Sequence, residues 1–221
     1  MKNLIIKLIG FILFCIELTG CKTNSVKDVD GNVYKAVTIG TQVWMAENLK
    51  TTKYNDGTAI PLVKDDKAWE ALNTPAYCWY KNDEVTNKNK YGALYNWYTV
   101  NTNKLCPSGW HVSTDAEWTT LTTYLKGDSV AGGKLKEAGM VHWQSPNTGA
   151  TNESGFTALP GGYRISYGGL FGYIGNNGYW WSPVKDSSSI ASYRYIGYGT
   201  RNLFSTSYSK HSGFSVRCIR D

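Results

Sequence analysis

Three histidines, His111, His142 and His211, are the first candidates for metal or acid–base chemistry. None stands in an HExxH or HxH pattern, which would place two imidazoles on one metal ion, so we interpret each as structural. Asp115 and Glu117 form a carboxylate pair of the kind that can hydrolyse glycosidic bonds. They also fall in the first turn of a predicted helix, where carboxylates favour the positive end of the helix dipole. Helix capping therefore accounts for them, and we predict no catalytic residue, no metal site and no cofactor.

Other motifs for chemistry and for nucleic-acid binding do not occur in the sequence. There is no GxSxG elbow, no P-loop and no GxGxxG after a strand. The formal net charge of +6 is mild and dispersed. The longest basic cluster, residues 81–90, mixes lysines with Asp83 and Glu84, which predicts a solvated loop. We expect no nucleic-acid partner, because such a partner requires basic residues clustered on one face.

The densest structural signal is residues 106–121, CPSGWHVSTDAEWTTL, which would position the carboxylates. A turn over residues 107–109 precedes a short strand at Trp110–Val112. Ser113 or Thr114 then caps a helix, with Glu117 spaced to complete a capping box. Three apolar residues at helical spacing predict a buried face: Trp118, Leu121 and Leu125.

The remaining elements are short. The sequence predicts a β-hairpin whose strands are Val33–Ile39 and Gln42–Met45, with Gly40 and Thr41 at its turn. A helical turn is predicted at residues 67–72, and a second short helix at residues 133–138. Aromatic segments that form a strand, or a strand followed by a helix, are predicted at residues 76–80 and 94–100. After Gly155 the chain becomes rich in glycine and aromatic residues, which favours short strands and long ordered loops.

The N-terminus predicts export. Residues 1–20 combine a basic start with an apolar run too short for a permanent membrane span, which indicates a signal peptide. Leu18-Thr19-Gly20-Cys21 resembles a bacterial lipobox, so Cys21 is the predicted lipidated residue and residues 21–27 the predicted tether. The alternative is an ordinary signal peptide with a chance cysteine, and Glu17 is discordant within the apolar run. Residues 28–221 carry no linker-like stretch and predict one domain.

Once Cys15 is removed with the signal peptide and Cys21 carries lipid, three cysteines enter an oxidising compartment: Cys78, Cys106 and Cys218. Three cysteines allow one bridge and one unpaired thiol. Their spacing lacks the paired CxxC pattern of a zinc site.

Residues 106–121 also carry a family resemblance. The stretch is similar to the GWHVPTDAEW motif of the Fibrobacter succinogenes major paralogous domain. Residues 39–49 (IGTQVWMAENL) and 91–98 (YGALYNWY) resemble the earlier motifs of that family. Its later motifs are matched by residues 154–164 (SGFTALPGGYR), 179–183 (YWWSP) and 213–221 (GFSVRCIRD). Ser113 departs from the pattern, because the family usually has proline there.

The resemblance implies a single C-type-lectin-like α+β domain with short antiparallel strands, two short helices and long ordered loops. Because lectin-like folds join their last strand to the core, it favours a Cys106–Cys218 bridge and leaves Cys78 as a buried thiol. The distantly similar formylglycine-generating enzymes use two cysteines near the chain end, whereas this chain has only Cys218 there, so we do not transfer their activity. Residues 144–147 match no calcium-dependent lectin motif.

Residues 161–183 carry the predicted ligand-binding side chains on a glycine-rich frame. Flat aromatic faces on such loops suit sugar rings and peptide surfaces. Tyr167 and Phe171 flank Gly168-Gly169, so we expect both rings to face solvent. Trp180 and Trp181 we interpret as core residues. The candidates are Tyr163, Arg164, Tyr167, Phe171, Tyr173 and Tyr179.

Together these patterns predict an exported protein anchored in the bacterial outer membrane through lipid on Cys21. Its domain would serve as a binding or adhesion module for a glycan or protein surface. The alternatives are an enzyme acting on polysaccharides or protein side chains, and a purely structural envelope protein.

Overall fold

The structure, a computed structural model, describes residues 24–221, in which helices and antiparallel strands are mixed. The strands are β1 Ser25–Lys27, β2 Val33–Ile39, β3 Gln42–Met45, β4 Tyr77–Cys78, β5 Leu94–Tyr95, β6 Trp110–Val112, β7 Gly161–Arg164, β8 Phe171–Ile174, β9 Asn177–Lys185, β10 Ile190–Gly197, β11 Phe204–Ser209 and β12 Cys218–Arg220. The helices are α1 Asp66–Glu70, α2 Glu84–Tyr91, α3 Trp97–Val100, α4 Asp115–Tyr124 and α5 Asp128–Leu135. The α+β class is thus confirmed. The predicted signal peptide, lipobox and Cys21 lie outside the described residues.

The larger sheet has the strand order β1-β2-β3-β12-β6, and its pairs are antiparallel. The predicted β2–β3 hairpin is confirmed, with Ile39 opposite Gln42. Gly40 occupies the turn with a φ of 62°, a left-handed conformation that glycine adopts without steric strain. Because β12 lies between β3 and β6, the C-terminal strand is built into the interior of the sheet.

Strand β1 falls inside the segment predicted to be a tether. Val26 pairs with Tyr34 of β2, and the half-buried Val26 side chain packs against the core. The folded domain therefore begins before Asp28, the boundary taken from the sequence. The polar composition of residues 22–28 did not indicate this strand, because Val26 is its only apolar side chain.

Helix α4 begins as predicted. The Thr114 hydroxyl accepts a hydrogen bond from the Glu117 N–H, and the Glu117 carboxylate accepts one from the Thr114 N–H at 2.8 Å. The capping box is complete, and it satisfies backbone groups that the first turn leaves without partners. The predicted helix face is buried through Trp118, Leu121 and Leu125.

The prediction of two short helices was wrong, because the described residues contain five. Helices α1, α2 and α3 each begin at a side chain that accepts a backbone N–H: Asp65, Asp83 and Asn96 respectively. Helix α2 replaces the solvated loop expected over residues 81–90. Helices α1 and α2 bury one residue each, so local caps define them rather than an apolar period. Within residues 24–221 no helix is long and apolar enough to cross a bilayer.

Helix α5 begins earlier than the predicted residues 133–138. Gly132 and Gly133 lie inside the helix, where a Cβ would approach backbone carbonyl oxygens of Asn202 and Gly149, each to 2.4 Å. These glycines permit close packing of the helix against two loops rather than marking its start.

The smaller sheet has the order β11-β10-β9, and its two faces lie against different parts of the core. Trp180 and Trp181, adjacent on β9, are fully buried, which confirms that they are core residues. The Trp180 ring centroid lies 6.2 Å from that of Trp118 on α4. The Trp181 centroid lies 4.4 Å from that of Phe214. Because successive side chains of a strand point to opposite faces, the two tryptophans pack in different parts of the core.

The predicted disulfide is present. Cys106, just before β6, is bonded to Cys218 of β12, with the two Cα atoms 6.0 Å apart. Cys78 on β4 is a buried free thiol, and burial raises its pKa to about 12. A thiol with that pKa stays protonated at neutral pH and is a poor nucleophile.

Candidate binding surface

The six predicted ligand-binding side chains occupy very different environments. Tyr167 is 81 % exposed in the turn between β7 and β8, and Tyr173 on β8 is 53 % exposed. Tyr163 on β7 is half-buried. Arg164 is fully buried, and Tyr179 on β9 is only 7 % exposed, so neither presents its side chain to solvent.

Arg164 holds the β7–β8 turn against the segment before α1. Its guanidinium donates to the carbonyl oxygens of Gly169 at 2.8 Å, Val63 at 2.7 Å and Lys64 at 2.9 Å. It also bonds the Asp66 carboxylate at 2.7 Å. With its donors directed to these groups, Arg164 positions the turn instead of contacting a ligand.

The expectation that Phe171 faces solvent was wrong. Its ring centroid lies 4.8 Å from the Arg164 guanidinium carbon and 5.4 Å from the Tyr80 ring. The guanidinium is enclosed on another side by the Trp69 ring at 4.6 Å. Cation–π attraction to the buried arginine accounts for the inward orientation of Phe171.

A broader aromatic surface extends from the β7–β8 hairpin onto the smaller sheet. Tyr195 of β10 is paired with Tyr179 of β9 and with Phe204 of β11, so their side chains lie on one face. Tyr193 belongs to the same face, and Tyr208 is paired with Ala191 beside it. We call the partly exposed members the tyrosine face: Tyr163, Tyr173, Tyr193, Tyr195, Phe204 and Tyr208.

The rings of the tyrosine face are in contact with one another or with buried rings beneath them. The Tyr163 centroid lies 5.4 Å from that of Tyr173, and the Tyr195 centroid 4.7 Å from that of Phe204. Tyr193 and Tyr208 are 6.4 Å apart. Tyr179 connects the two halves, with its centroid 5.4 Å from Tyr163 and 5.9 Å from Tyr195. These distances are typical of favourable aromatic pairs, so the face is a continuous, preformed platform.

The tyrosine face is uncharged. Burial, reinforced by the neighbouring Tyr195 and Tyr208, raises the pKa of Tyr193 to about 12. Burial and the neighbouring Tyr173 also raise the pKa of Tyr163. The phenols of Tyr163 and Tyr193 therefore stay protonated at neutral pH. Among the described residues, none of the five hydroxyls on this face has a protein hydrogen-bond partner, so all five can donate to and accept from a ligand.

Tyr173 has a backbone conformation that is unusual for its residue type. Its φ is 62°, opposite Gly162 with a φ of 66°, where the β7–β8 pairing skips both residues. Glycine adopts this region freely, whereas for tyrosine it carries a steric cost. A strained residue at an exposed position is a recognised indication of a functional site.

Sequence reasoning missed four members of the tyrosine face: Tyr193, Tyr195, Phe204 and Tyr208. A signal was present, since aromatic residues alternate in Tyr193-Arg194-Tyr195, and Phe204 and Tyr208 are spaced for one side of a strand. Between the tyrosines, Arg194 points to the opposite face and bonds Asp115 at 3.1 Å.

Other groups capable of chemistry are mostly engaged in structural contacts. The two His111 ring nitrogens bond Glu117 at 2.7 Å and Asp221 at 2.5 Å. His211 bonds Tyr98 and Asn73. His142 Nδ1 bonds both carboxylate oxygens of Glu137, and its Nε2 has no protein partner within the described part of the chain. Residues 24–221 contain no cluster of three or more acidic, histidine or cysteine side chains able to hold a metal.

The fully buried Lys136 is bound by main-chain oxygens. Its Nζ donates among four carbonyls, at 3.0 Å to Thr148, 3.3 Å to Gly197, 3.5 Å to Tyr198 and 2.8 Å to Thr200. Burial lowers its pKa to about 8. The ammonium joins the end of α5 to two loops that are distant in sequence.

The structure defines an α+β domain whose C-terminal strand is inserted into the larger sheet and which exposes an aromatic face. Comparison with protein families identifies the Fibrobacter succinogenes major domain over residues 37–220, and the chain belongs to this family. No curated protein and no solved structure matches the chain significantly.

Proposed function

We propose that this domain is a binding module whose binding surface is the tyrosine face. The observation that carries the proposal is the set of six neighbouring, partly exposed aromatic rings, whose five hydroxyls have no hydrogen-bond partner within residues 24–221. Tyrosine provides large, rigid and amphipathic contact area at little cost in conformational entropy. The sheet beneath holds the rings in place before any ligand arrives, which reduces the ordering cost of binding.

The test compares the full chain, purified in detergent, with the Tyr173→Ala/Tyr208→Ala variant for retention on envelope fractions and immobilised glycans. We expect binding to weaken about tenfold or more, because two ring contacts are lost. Tyr124→Ala is the matched control, since that tyrosine is 58 % exposed on α4, outside the face. Equal retention of wild type and double variant would contradict the proposal.

Tyr167 remains a separate candidate from the sequence prediction. It lies in the β7–β8 turn near the exposed Leu170, and no ring contact joins it to the tyrosine face among the described residues. Tyr167→Ala in the same assay distinguishes a binding site at the turn from one on the sheet.

We also propose that the fold is lectin-like and that the domain is displayed on the outer membrane by lipid on Cys21. The lectin-like fold is supported by the short antiparallel strands and by the bridge to β12. Display is supported by the lipobox at residues 18–21. Incorporation of a clickable fatty acid should be lost in Cys21→Ser, and equal labelling of wild type and variant would refute the anchor.

A second candidate function, an enzyme acting on polysaccharides or protein side chains, is favoured by the Glu137–His142 pair. A carboxylate that fixes an imidazole whose second nitrogen is free is the arrangement of a general base. Incubation with polysaccharides, followed by measurement of new reducing ends, tests it. Activity lost in His142→Gln would support an enzyme, and its persistence would exclude this pair.

A further inference from the structure

We propose that the ligand of the tyrosine face is a neutral polysaccharide chain, bound by ring stacking and hydroxyl hydrogen bonds without ionic contacts. This inference rests on the proposed function, because it specifies the ligand class of the same surface. Three properties of the face, namely its charge, its hydrogen-bonding groups and its extent, point to that class.

The charge of the face excludes acidic polymers as favoured ligands. All six of its residues are uncharged. The two arginines nearest in sequence are directed elsewhere, Arg194 to Asp115 on the opposite side of the sheet and Arg164 to Asp66 and backbone carbonyls. Recognition of carboxylates or sulfates normally uses such guanidinium groups, and both of these are engaged within the protein.

The hydrogen-bonding groups of the face match sugars. Each phenol can donate one hydrogen bond and accept others, as a sugar hydroxyl can. Phe204 is the one ring in the set without a hydroxyl. A protein partner that covered the face would have to satisfy five buried phenols with matched groups. A polysaccharide satisfies them through its own hydroxyls and through bridging water, which costs little.

The extent of the face favours a chain of sugars over a single one. The rings lie across β7, β8 and two strands of the smaller sheet, β10 and β11, with neighbouring centroids 4.7 to 6.4 Å apart. A series of separate ring sites gives a single sugar little contact. Successive rings of a polymer engage several sites at once, so their contacts add.

The experiment measures retention of the full chain, purified in detergent, on four supports: insoluble β-glucan, mannan coupled to beads, polygalacturonate and a denatured collagen film. The expected result is retention on one or both neutral polymers, unchanged when salt is raised to about 1 M, where ionic contacts are screened. Retention should fall about tenfold in Tyr173→Ala/Tyr208→Ala and stay constant in Tyr124→Ala.

The other outcomes separate the inference from the proposed function. Retention on polygalacturonate that salt abolishes, or retention on collagen alone, would overturn the neutral-polysaccharide inference. If the tyrosine variant also weakened that retention, the tyrosine face would still be the binding surface. Retention on no support would overturn the neutral-polysaccharide inference alone, whereas retention equal in wild type and tyrosine variant would overturn both. If the double variant unfolds, Tyr208→Ser replaces it, because serines already alternate along β11.

Discussion

Tyr173 combines an exposed ring with a left-handed backbone, and the two properties can be separated by substitution. Glycine would relieve a steric cost of about 1 to 2 kcal/mol, but it would also remove the contact with Tyr163. Because these two effects oppose each other, the unfolding free energy of Tyr173→Gly should differ from that of wild type by less than about 1 kcal/mol. Alanine keeps the strain and should be less stable than glycine by about 1 kcal/mol. Each of these variants removes one ring contact, so it should bind ligand about threefold more weakly, which is a smaller loss than in the double variant. Denaturant unfolding together with glycan retention measures the two effects, and a glycine variant destabilised by several kcal/mol would make Tyr173 a packing residue.

His111 joins the C-terminal residue to the start of α4, and its protonation makes this link dependent on pH. Burial alone would lower its pKa, but the hydrogen bonds to Asp221 and Glu117 outweigh burial and raise the pKa above 6.5. Since the folded-state pKa exceeds the unfolded one, the stabilisation is fully present below about pH 6.5 and is lost as pH rises through the folded-state value.

The melting temperature of wild type should therefore exceed that of His111→Gln most clearly near pH 6. The difference should narrow in alkaline solution. A gap that stays constant from pH 5 to pH 9 would mean that the imidazole acts by packing alone.

At the scale of elements, the β7–β8 hairpin depends on one buried side chain. Arg164→Met would leave the carbonyl oxygens of Val63 and Gly169 without their donor, and each buried unsatisfied group costs about 1 to 3 kcal/mol. We expect a loss of about 3 kcal/mol or more, measured by urea unfolding. Asp66→Asn is the control and should cost less than about 1 kcal/mol, because the Asp66 side chain is largely exposed. Similar losses in the two variants would assign the effect to the ion pair instead.

The elements that were predictable are those defined by neighbours in sequence. The Thr114 cap with Glu117 lies within four consecutive residues, and the β2–β3 hairpin is closed by adjacent turn residues. The tyrosine face could not be foreseen as a whole, because it depends on the register of three strands and on a hairpin that docks beside them. The orientation of Phe171 was also missed, because it is set by an arginine whose own partners at Val63 and Lys64 are about a hundred residues away. Likewise α5 was misplaced, since its glycines serve contacts with the distant Asn202.

At the scale of the molecule, the Cys106–Cys218 bridge closes a loop with a sequence separation of 112 residues, which includes β6 and the whole of the smaller sheet. In the chain-entropy model, opening a loop of that length costs up to about 4 to 5 kcal/mol, because the unfolded chain gains freedom. The Cys106→Ala/Cys218→Ala variant should therefore lose about that much stability in urea unfolding. Cys78→Ala, which removes the buried free thiol and no cross-link, is the control. Equal stability of the bridged and unbridged chains would mean that the β12 pairings alone hold the C-terminus.

The carbonyl cluster around Lys136 determines how the molecule responds to its surroundings. Backbone oxygens gathered from separate loops attract a cation, and an ion recruited from solution stabilises a fold only in proportion to the logarithm of its concentration. Here the cation is the ammonium group of Lys136 itself, so its presence at the carbonyls does not depend on the ions in solution. The loops near residues 148 and 197–200 should keep their arrangement when ions are chelated or diluted, and the melting temperature should be the same with calcium and with EDTA. A domain built in this way keeps its own cation at these carbonyls in any medium below about pH 8.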